Sequence, residues 1–389
     1  MRTDQIRRHL TDDIIPFWKG LLDDTYCGFY GEMDYVLNLN KKSDKGCILN
    51  SRILWFFSNA YMTLKDESCL DYAKHSYEFL KNAFYDKENG GVYWSVTYDG
   101  KPSDDSKHTY NQSFAIYALA SYYEVSKDSQ ALKLANELVD KIESVCKDDI
   151  GYLEAFDRSF KQVNNDKLSE NGVMASRTMN TLLHVFEAYT ELYRVDKNPD
   201  IAAKMEWILD LYADKIYNPE KRRLEVFFDN TWNSLIDLNS YGHDIESSWL
   251  IDRGVEVLGN PKYERKITPI NKALTEHIYE VAMDESSLYN ECEDGIVDTK
   301  KVWWVQAEAV LGFLNAYLKD NTKLYYLETA GRIWDYINAY MIDRRTGEWF
   351  FELYKDGSPI KSKEIVGPWK CPYHNGRMCF EVINRKINF

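Results

Sequence analysis

At 389 residues and 44% hydrophobic content, the chain is long for one domain, yet closed barrels of helices or strands reach this length around a single large core. A net charge of −14, from 62 acidic against 48 basic residues, leaves no basic stripe for a phosphate backbone, so nucleic acid is not an expected partner. No run of about 18 apolar residues is available to span a membrane, so none is expected to be engaged.

The start, Met1 to Arg8, is charged and amphipathic and lacks the apolar core of a secretion signal. The seven cysteines include no Cys-x-x-Cys pair, which predicts reduced thiols. Together these features place the protein in the cytoplasm.

Gly28-Phe29-Tyr30-Gly31 opens a series of short aromatic strand patterns, each shortly ahead of an apolar helix. The first such helix carries Arg52 just before Ile53-Leu54-Trp55-Phe56-Phe57; a guanidinium entering so apolar a run requires an acidic or anionic partner, either Glu308 or a substrate oxyanion. Gly91 to Tyr98 alternates and closes at Asp99-Gly100, a hairpin signal, and Tyr110 follows at the next helix. Ala131 to Ile142 is amphipathic with one charged face, the pattern of an outer helix facing water.

After Gly151 to Phe156 comes the polar stretch Ser159 to Ser176, read either as a lid over a cleft or as a surface insertion. Asn180 and His184 open the third apolar helix. Leu224 to Phe228 precedes Tyr241-Gly242-His243-Asp244-Ile245-Glu246-Ser247-Ser248-Trp249, where the i,i+3 spacing predicts that Glu246 orients His243. The same pair resembles two metal ligands, but without a His-x-x-x-His companion it gives no expectation of a metal.

Ser287 to Glu291 precedes Trp303, Trp304 and Glu308 on a helix that is apolar nearly all round, and Trp349 to Tyr354 ends in Asp356-Gly357. The final stretch, Val366 to Arg377, packs Trp369, His374, Asn375 and Arg377 into a turn leading to a helix, the composition of a binding loop. Trp249, Trp303, Trp304 and Trp369 offer broad apolar faces that suit pyranose rings.

The units recur about every 58 to 70 residues, six in all, with two helices each. Twelve helices in two concentric rings, with β-hairpins in the connecting loops, would aim Arg52, Tyr110, Asn180, His184, His243, Glu246, Trp304, Glu308 and His374 into one central cleft. His9, His75 and His277 are expected at the surface; His108 is left outside the site.

Ser51 to Phe57, Tyr241 to Glu246, Val302 to Glu308 and Trp369 to Arg377 resemble the motifs of the cellobiose 2-epimerase branch of the N-acylglucosamine 2-epimerase superfamily, over almost the whole chain. The resemblance implies an all-α (α/α)6 barrel, a single catalytic domain over residues 1–389, and reversible cofactor-independent epimerisation at C2 of the reducing-end glucose of β-1,4-linked disaccharides. It also implies His243 and His374 as proton-transfer groups, with Glu246 orienting His243. Arg52 and His184 would bind O1 and O2 of an enediolate, Tyr110, Asn180 and Glu308 would hold hydroxyls, and Trp249, Trp304 and Trp369 would stack on sugar rings. A monomer acting on a free disaccharide is expected. The alternatives are an aldose–ketose isomerase or monosaccharide 2-epimerase on the same fold, a glycoside hydrolase using two carboxylates, and a non-catalytic sugar-binding protein.

Overall fold

The computed structural model describes residues 2–168, 171–387 and 389. Six helices are buried along most of their length: α3 (Cys47–Leu64), α5 (Thr109–Ser126), α7 (Met179–Asp196), α9 (Tyr241–Leu258), α11 (Trp303–Lys319) and α13 (His374–Arg385). Each packs on the next, and α13 returns to α3, so they close a ring. Around them lie amphipathic partners: α1 (Arg2–Arg8) joined to α2 (Ile15–Lys19) by a π-helical turn, α4 (Glu67–Phe79), α6 (Ser129–Lys141), α8 (Pro199–Leu211), α10 (Pro261–Val281) and α12 (Leu324–Tyr336). This is the expected (α/α)6 barrel of two concentric rings.

Local sequence explains the tight inner-to-outer turns. Inner helices end on Lys65, Lys127, Lys197 and Gly259 in the left-handed conformation, each N–H bonding back to the last turn. The next residue, Asp66, Asp128, Asn198 or Asn260, caps the following outer helix by accepting a backbone N–H with its side chain. Two residues thus stop one helix and start the next.

The expected local hairpins are present, as in Tyr217–Asn218 with Arg223–Leu224 and Glu291–Glu293 with Ile296–Asp298, and further strands link one unit to the next. A two- or three-residue strand lies immediately before each of the first five inner helices and pairs with a strand of the following unit: Lys45–Gly46 with Ser95–Val96, Lys107–His108 with Ala155–Phe156, Arg177–Thr178 with Phe227–Phe228, Leu238–Ser240 with Glu291–Glu293, and Lys301–Val302 with Glu352–Leu353. A bridge between Met33 and Val366 joins the sixth unit to the first. Each inner helix therefore has its entry point stitched to its neighbour's loop.

A common register follows. Lys45, Lys107, Arg177, Asn239, Lys301 and Lys370 occupy equivalent places, and all but Asn239 are buried cations in ion pairs or hydrogen bonds with a carboxylate: Lys45 with Asp23 at 2.7 Å, Lys107 with Asp86 at 3.2 Å, Arg177 with Asp148, Lys301 with Asp284, and Lys370 with Glu348 at 2.8 Å. Five residues on, Asn50, Gln112, Asp244 and Gln306 accept the backbone N–H of Phe29, Val92, Leu224 and Leu288, which pins each helix to its own unit's hairpin.

Three histidines depart from the expected surface placement. His9 is buried, with Nδ1 2.8 Å from Asp13 and Nε2 accepting the Trp349 indole N–H at 2.7 Å. His75 is half-buried and reaches the Gly28 carbonyl, and His277 is also half-buried. Aromatic rings from other elements cover two of them: Trp334 and Trp349 meet His9, and Phe29 meets His75 edge-on. All seven cysteines are free, and among the described residues no helix is long and apolar enough to cross a membrane. The stretch expected as a lid includes residues 169 and 170, which lie outside the described residues; beside them, Lys167 pairs with Asp104 at 2.7 Å and lies over Trp94.

Candidate active site

Counting seven residues on from the six equivalent places gives Arg52, Phe114, His184, Glu246, Glu308 and Arg377, one from each unit. Equivalent positions in a closed ring lie at one depth, so these six form a single layer. One helical turn earlier, nearer the helix starts, the fourth and sixth units place His243 and His374 at the same position. Trp304, from the unit between them, packs against both rings, at 4.8 Å from His243 and 5.5 Å from His374. Gly242 makes this possible, since a Cβ there would come within 2.5 Å of the Trp304 ring.

Each of the three cleft histidines is held through Nδ1. His374 Nδ1 lies 2.7 Å from Glu308 Oε1, His184 Nδ1 2.8 Å from Glu187 Oε2, and His243 Nδ1 2.7 Å from Ser240 Oγ. Anchoring one ring nitrogen fixes the ring's orientation and leaves Nε2 as the working atom. Burial first, then Arg377, Arg52 and the other two histidines, holds His374 well below the usual imidazole range. Burial and His184 bring His243 down to about 3. Both environments thus favour the neutral ring, the form able to accept a proton at Nε2.

Arg377 is the hub beneath them. Its Nη2 donates to Glu246 Oε1 and, at 2.7 Å, to Glu308 Oε1, while Nη1 donates to Glu187 at 2.5 Å. The Tyr373 hydroxyl closes the group with bonds of 2.6 and 2.7 Å to Glu187. Burial pushes Glu246 up to about 7, reinforced by Glu308 and opposed by Arg377. Glu308 is likewise raised by burial against the pull of Arg377. Glu187, although buried, is brought down to about 2 by Arg377, His184 and Tyr373.

The expected pairing of His243 with Glu246 is not formed. Glu246 turns to Arg377, because a guanidinium outcompetes a neutral imidazole for a buried carboxylate. Of the two partners expected for Arg52, Glu308 is not paired with it: Arg52 Nη2 donates to the Tyr110 hydroxyl at 2.9 Å, Nη1 lies 3.7 Å from Cys371 Sγ, and the guanidinium lies against the Phe114 and Tyr373 rings. Its Nε has no partner, and no carboxylate pairs with it among the described residues.

Glu308 is committed to His374, Arg377 and the Trp249 indole N–H, so it serves His374 rather than a sugar hydroxyl. Trp249 is fully buried beneath Arg377, which removes it from the stacking surfaces. Trp304 and Trp369 remain partly open, and Trp369 stands 5.9 Å from the Tyr110 ring. Asn180 is half-buried with an unpartnered Oδ1. His108, left out of the site, is buried against Trp94.

One ligand atom each from Glu246, Glu308 and His374 falls within 4.8 Å, a grouping able to hold a metal ion. Here Arg377 Nη2 bonds both carboxylates, and a cation is already in place. The same geometry weighs against a hydrolase, whose two carboxyl groups must face the glycosidic bond, whereas these two are both turned to one guanidinium nitrogen. Glu187, Ser240, Tyr373 and Arg377 are site groups the sequence reading did not assign. The i,i+3 spacing of His184 with Glu187 and of His374 with Arg377 was the available signal.

Comparison with known proteins agrees with this geometry. The family model for N-acylglucosamine 2-epimerase (GlcNAc 2-epimerase) matches residues 28–376, and the chain belongs to that family. It is 50% identical to the cellobiose 2-epimerase of Ruminococcus albus, covering all of both chains. A crystal structure of a sugar epimerase from a ruminal bacterium superposes with a TM-score of 0.98 at 50% identity over all of both chains. The cellobiose 2-epimerase of Bacillus thermoamylovorans gives 0.95 at 45% identity, covering 98% of this chain and 99% of that one.

Proposed function

We propose that the cleft epimerises C2 of the reducing-end glucose of β-1,4-linked disaccharides, converting cellobiose to glucosyl-mannose and lactose to epilactose. Inversion at C2 requires an open chain, removal of the proton alpha to the C1 aldehyde, and return of a proton to the opposite face of a planar cis-enediolate. The observation that carries this reading is the pair His243 and His374, at one depth and two units apart, with both Nδ1 atoms anchored. One ring, neutral, takes the C2 proton at Nε2, while the other enters the step as an imidazolium and delivers its Nε2 proton from across the sugar, so the two rings exchange charge in each inversion.

The charge balance suits this cycle. Glu187, Glu246 and Glu308 all surround Arg377, so a proton arriving on His374 enters a cluster richer in carboxyl groups than in cations. Glu308 stabilises that charge on His374, and the Ser240 hydroxyl can either donate to or accept from His243 as the proton comes and goes. Arg52, lacking a carboxylate, is free to bind the enediolate oxygens together with His184. Tyr110 and Asn180 hold hydroxyls, and Trp304 and Trp369 supply apolar faces to the sugar rings. No metal or cofactor has a part in these steps.

The residues 1–389 act in this reading as one catalytic domain and a monomer, and the seven free thiols support a reducing, cytoplasmic setting. The test is an NMR time course of EDTA-treated protein with cellobiose in D₂O. Glucosyl-mannose carrying deuterium at C2 supports the proposal. Free glucose would indicate hydrolysis, a ketose product would indicate isomerisation, and turnover lost with EDTA and restored by a divalent ion would overturn the metal-free scheme.

A further inference from the structure

The sixth unit breaks the register that the others keep. In the first, second, fourth and fifth units, the side chain at the helix start (Asn50, Gln112, Asp244, Gln306) accepts its hairpin's backbone N–H directly. The equivalent pair in the sixth unit is Asn375 and Trp349, and a carboxylate stands between them. Glu348 Oε1 accepts the Trp349 N–H at 2.7 Å and the Asn375 side-chain N–H at 2.7 Å.

The same oxygen accepts Lys370 Nζ at 2.8 Å, and Oε2 accepts the Trp18 indole N–H at 2.6 Å. Elsewhere the buried cation and the helix-start side chain use separate partners; here both converge on one fully buried carboxylate. Position in the fold makes this consequential. No regular strand directly precedes α13, and its N-cap residue makes no side-chain cap. Its first turn carries both His374 and Arg377. Lys370 also lies over the Trp303 ring, which meets His374 edge-on at 5.3 Å.

We infer that Glu348 is a positioning residue for the reaction: it fixes the first turn of α13 through Asn375 and Lys370, and so sets His374 against Glu308 and the sugar. This rests on His374 being a proton-transfer group. A glutamine here cannot reproduce the arrangement. Its Nε2 would have to face either the Trp18 N–H or the three donors on the other side, and a donor would meet a donor in each case.

The experiment compares wild type, Glu348→Gln, Asn375→Ala and His374→Ala by kcat, KM and the pH profile of kcat, each corrected for folded protein by circular dichroism. Misplacing a catalytic group by about 1 Å costs about 100-fold, so Glu348→Gln is expected to lose about tenfold or more in kcat while KM changes less than about threefold. The acid limb of kcat should move with it, since the His374–Glu308 contact sets that limb. Asn375→Ala should show the same split, which keeps the test open if Glu348→Gln does not fold. Folded variants with wild-type kcat and pH profile, or a kcat that falls only with the folded fraction, would overturn the inference. An active His374→Ala would instead overturn the reading of His374 on which it rests.

Discussion

His243 and His374 stand at the same position of the repeat, and both pack on Trp304 from opposite neighbouring units. Being two units apart in a ring of six, they would meet a sugar in the cleft from different directions under the proposed function. A two-base inversion needs this relationship, and it gives the most direct test. His243→Ala and His374→Ala should each lower epimerisation by about 1,000-fold or more, in the upper part of the 10²- to 10⁴-fold range usual for one acid–base group, because the second group cannot substitute. The remaining base should still exchange the C2 proton of the one epimer it faces. Incubating each variant separately with cellobiose and glucosyl-mannose in D₂O should show exchange without inversion, with opposite substrate preference in the two variants. Epimerisation within a fewfold of wild type in either variant would rule out the two-base scheme.

Arg52 separates function from stability. A buried guanidinium paired only with a phenol, a thiol and two ring faces is poorly compensated in the folded protein, and under the proposed function the enediolate supplies the missing charge. Arg52→Met should therefore cost about 100- to 1,000-fold in kcat/KM. Its melting temperature should stay at or above that of wild type, because replacing an uncompensated buried charge by an apolar chain of similar length is neutral or stabilising. A melting temperature several degrees below wild type would show that the guanidinium is held by the protein rather than kept for the substrate.

Much of this was legible in the sequence. The six units could be read because aromatic strands with Asp-Gly turns alternate with helices of two distinct polarities, and these patterns are local. Which carboxylate serves which histidine could not be read, because it depends on a residue from another unit. His184–Glu187 and His243–Glu246 have the same i,i+3 spacing, yet only the first pair forms. The outcome at the second is decided by Arg377, 131 residues further on, whose charge takes Glu246. The register itself is hidden in the sixth unit, where regular helix begins at His374 rather than two residues after Lys370 as elsewhere. Read from the helix start, Arg377 seemed part of a binding loop; counted from Lys370, it joins the layer of Arg52, His184, Glu246 and Glu308.

The pH dependence of activity follows from the depressed histidines. His243 titrates at about 3 and His374 well below 6.5, both chiefly because burial disfavours the imidazolium. The base is thus already neutral through the mildly acidic range, and kcat/KM should stay level as pH falls past 6.5, declining only at lower pH. An acid limb with an apparent pKa near 6.5 would mean that the working imidazole is solvated rather than buried. Glu308→Gln should remove the counter-charge from His374 and push the limb further toward acid, with a loss in kcat of about 100-fold.

Asp244 offers a stability test away from the reacting atoms. Its carboxyl is buried, accepting the Leu224 N–H at 3.2 Å and the Asn239 side-chain N–H at 2.7 Å, and burial raises it to about 8 against those bonds. A carboxyl raised on folding keeps its proton in the native state while the unfolded chain has already lost it. Between about pH 4 and pH 8 the native state therefore binds more protons, and stability falls as pH rises across that window. Asp244→Asn keeps the size and an acceptor for Leu224 while removing the titration. Its melting temperature should approach that of wild type, or exceed it, at pH 8 and fall behind it at pH 5, where wild type keeps both the proton and the hydrogen bonds. Parallel melting curves for the two proteins from pH 5 to pH 8 would show that Asp244 is ionised throughout and that the Asn239 and Leu224 donors outweigh its burial.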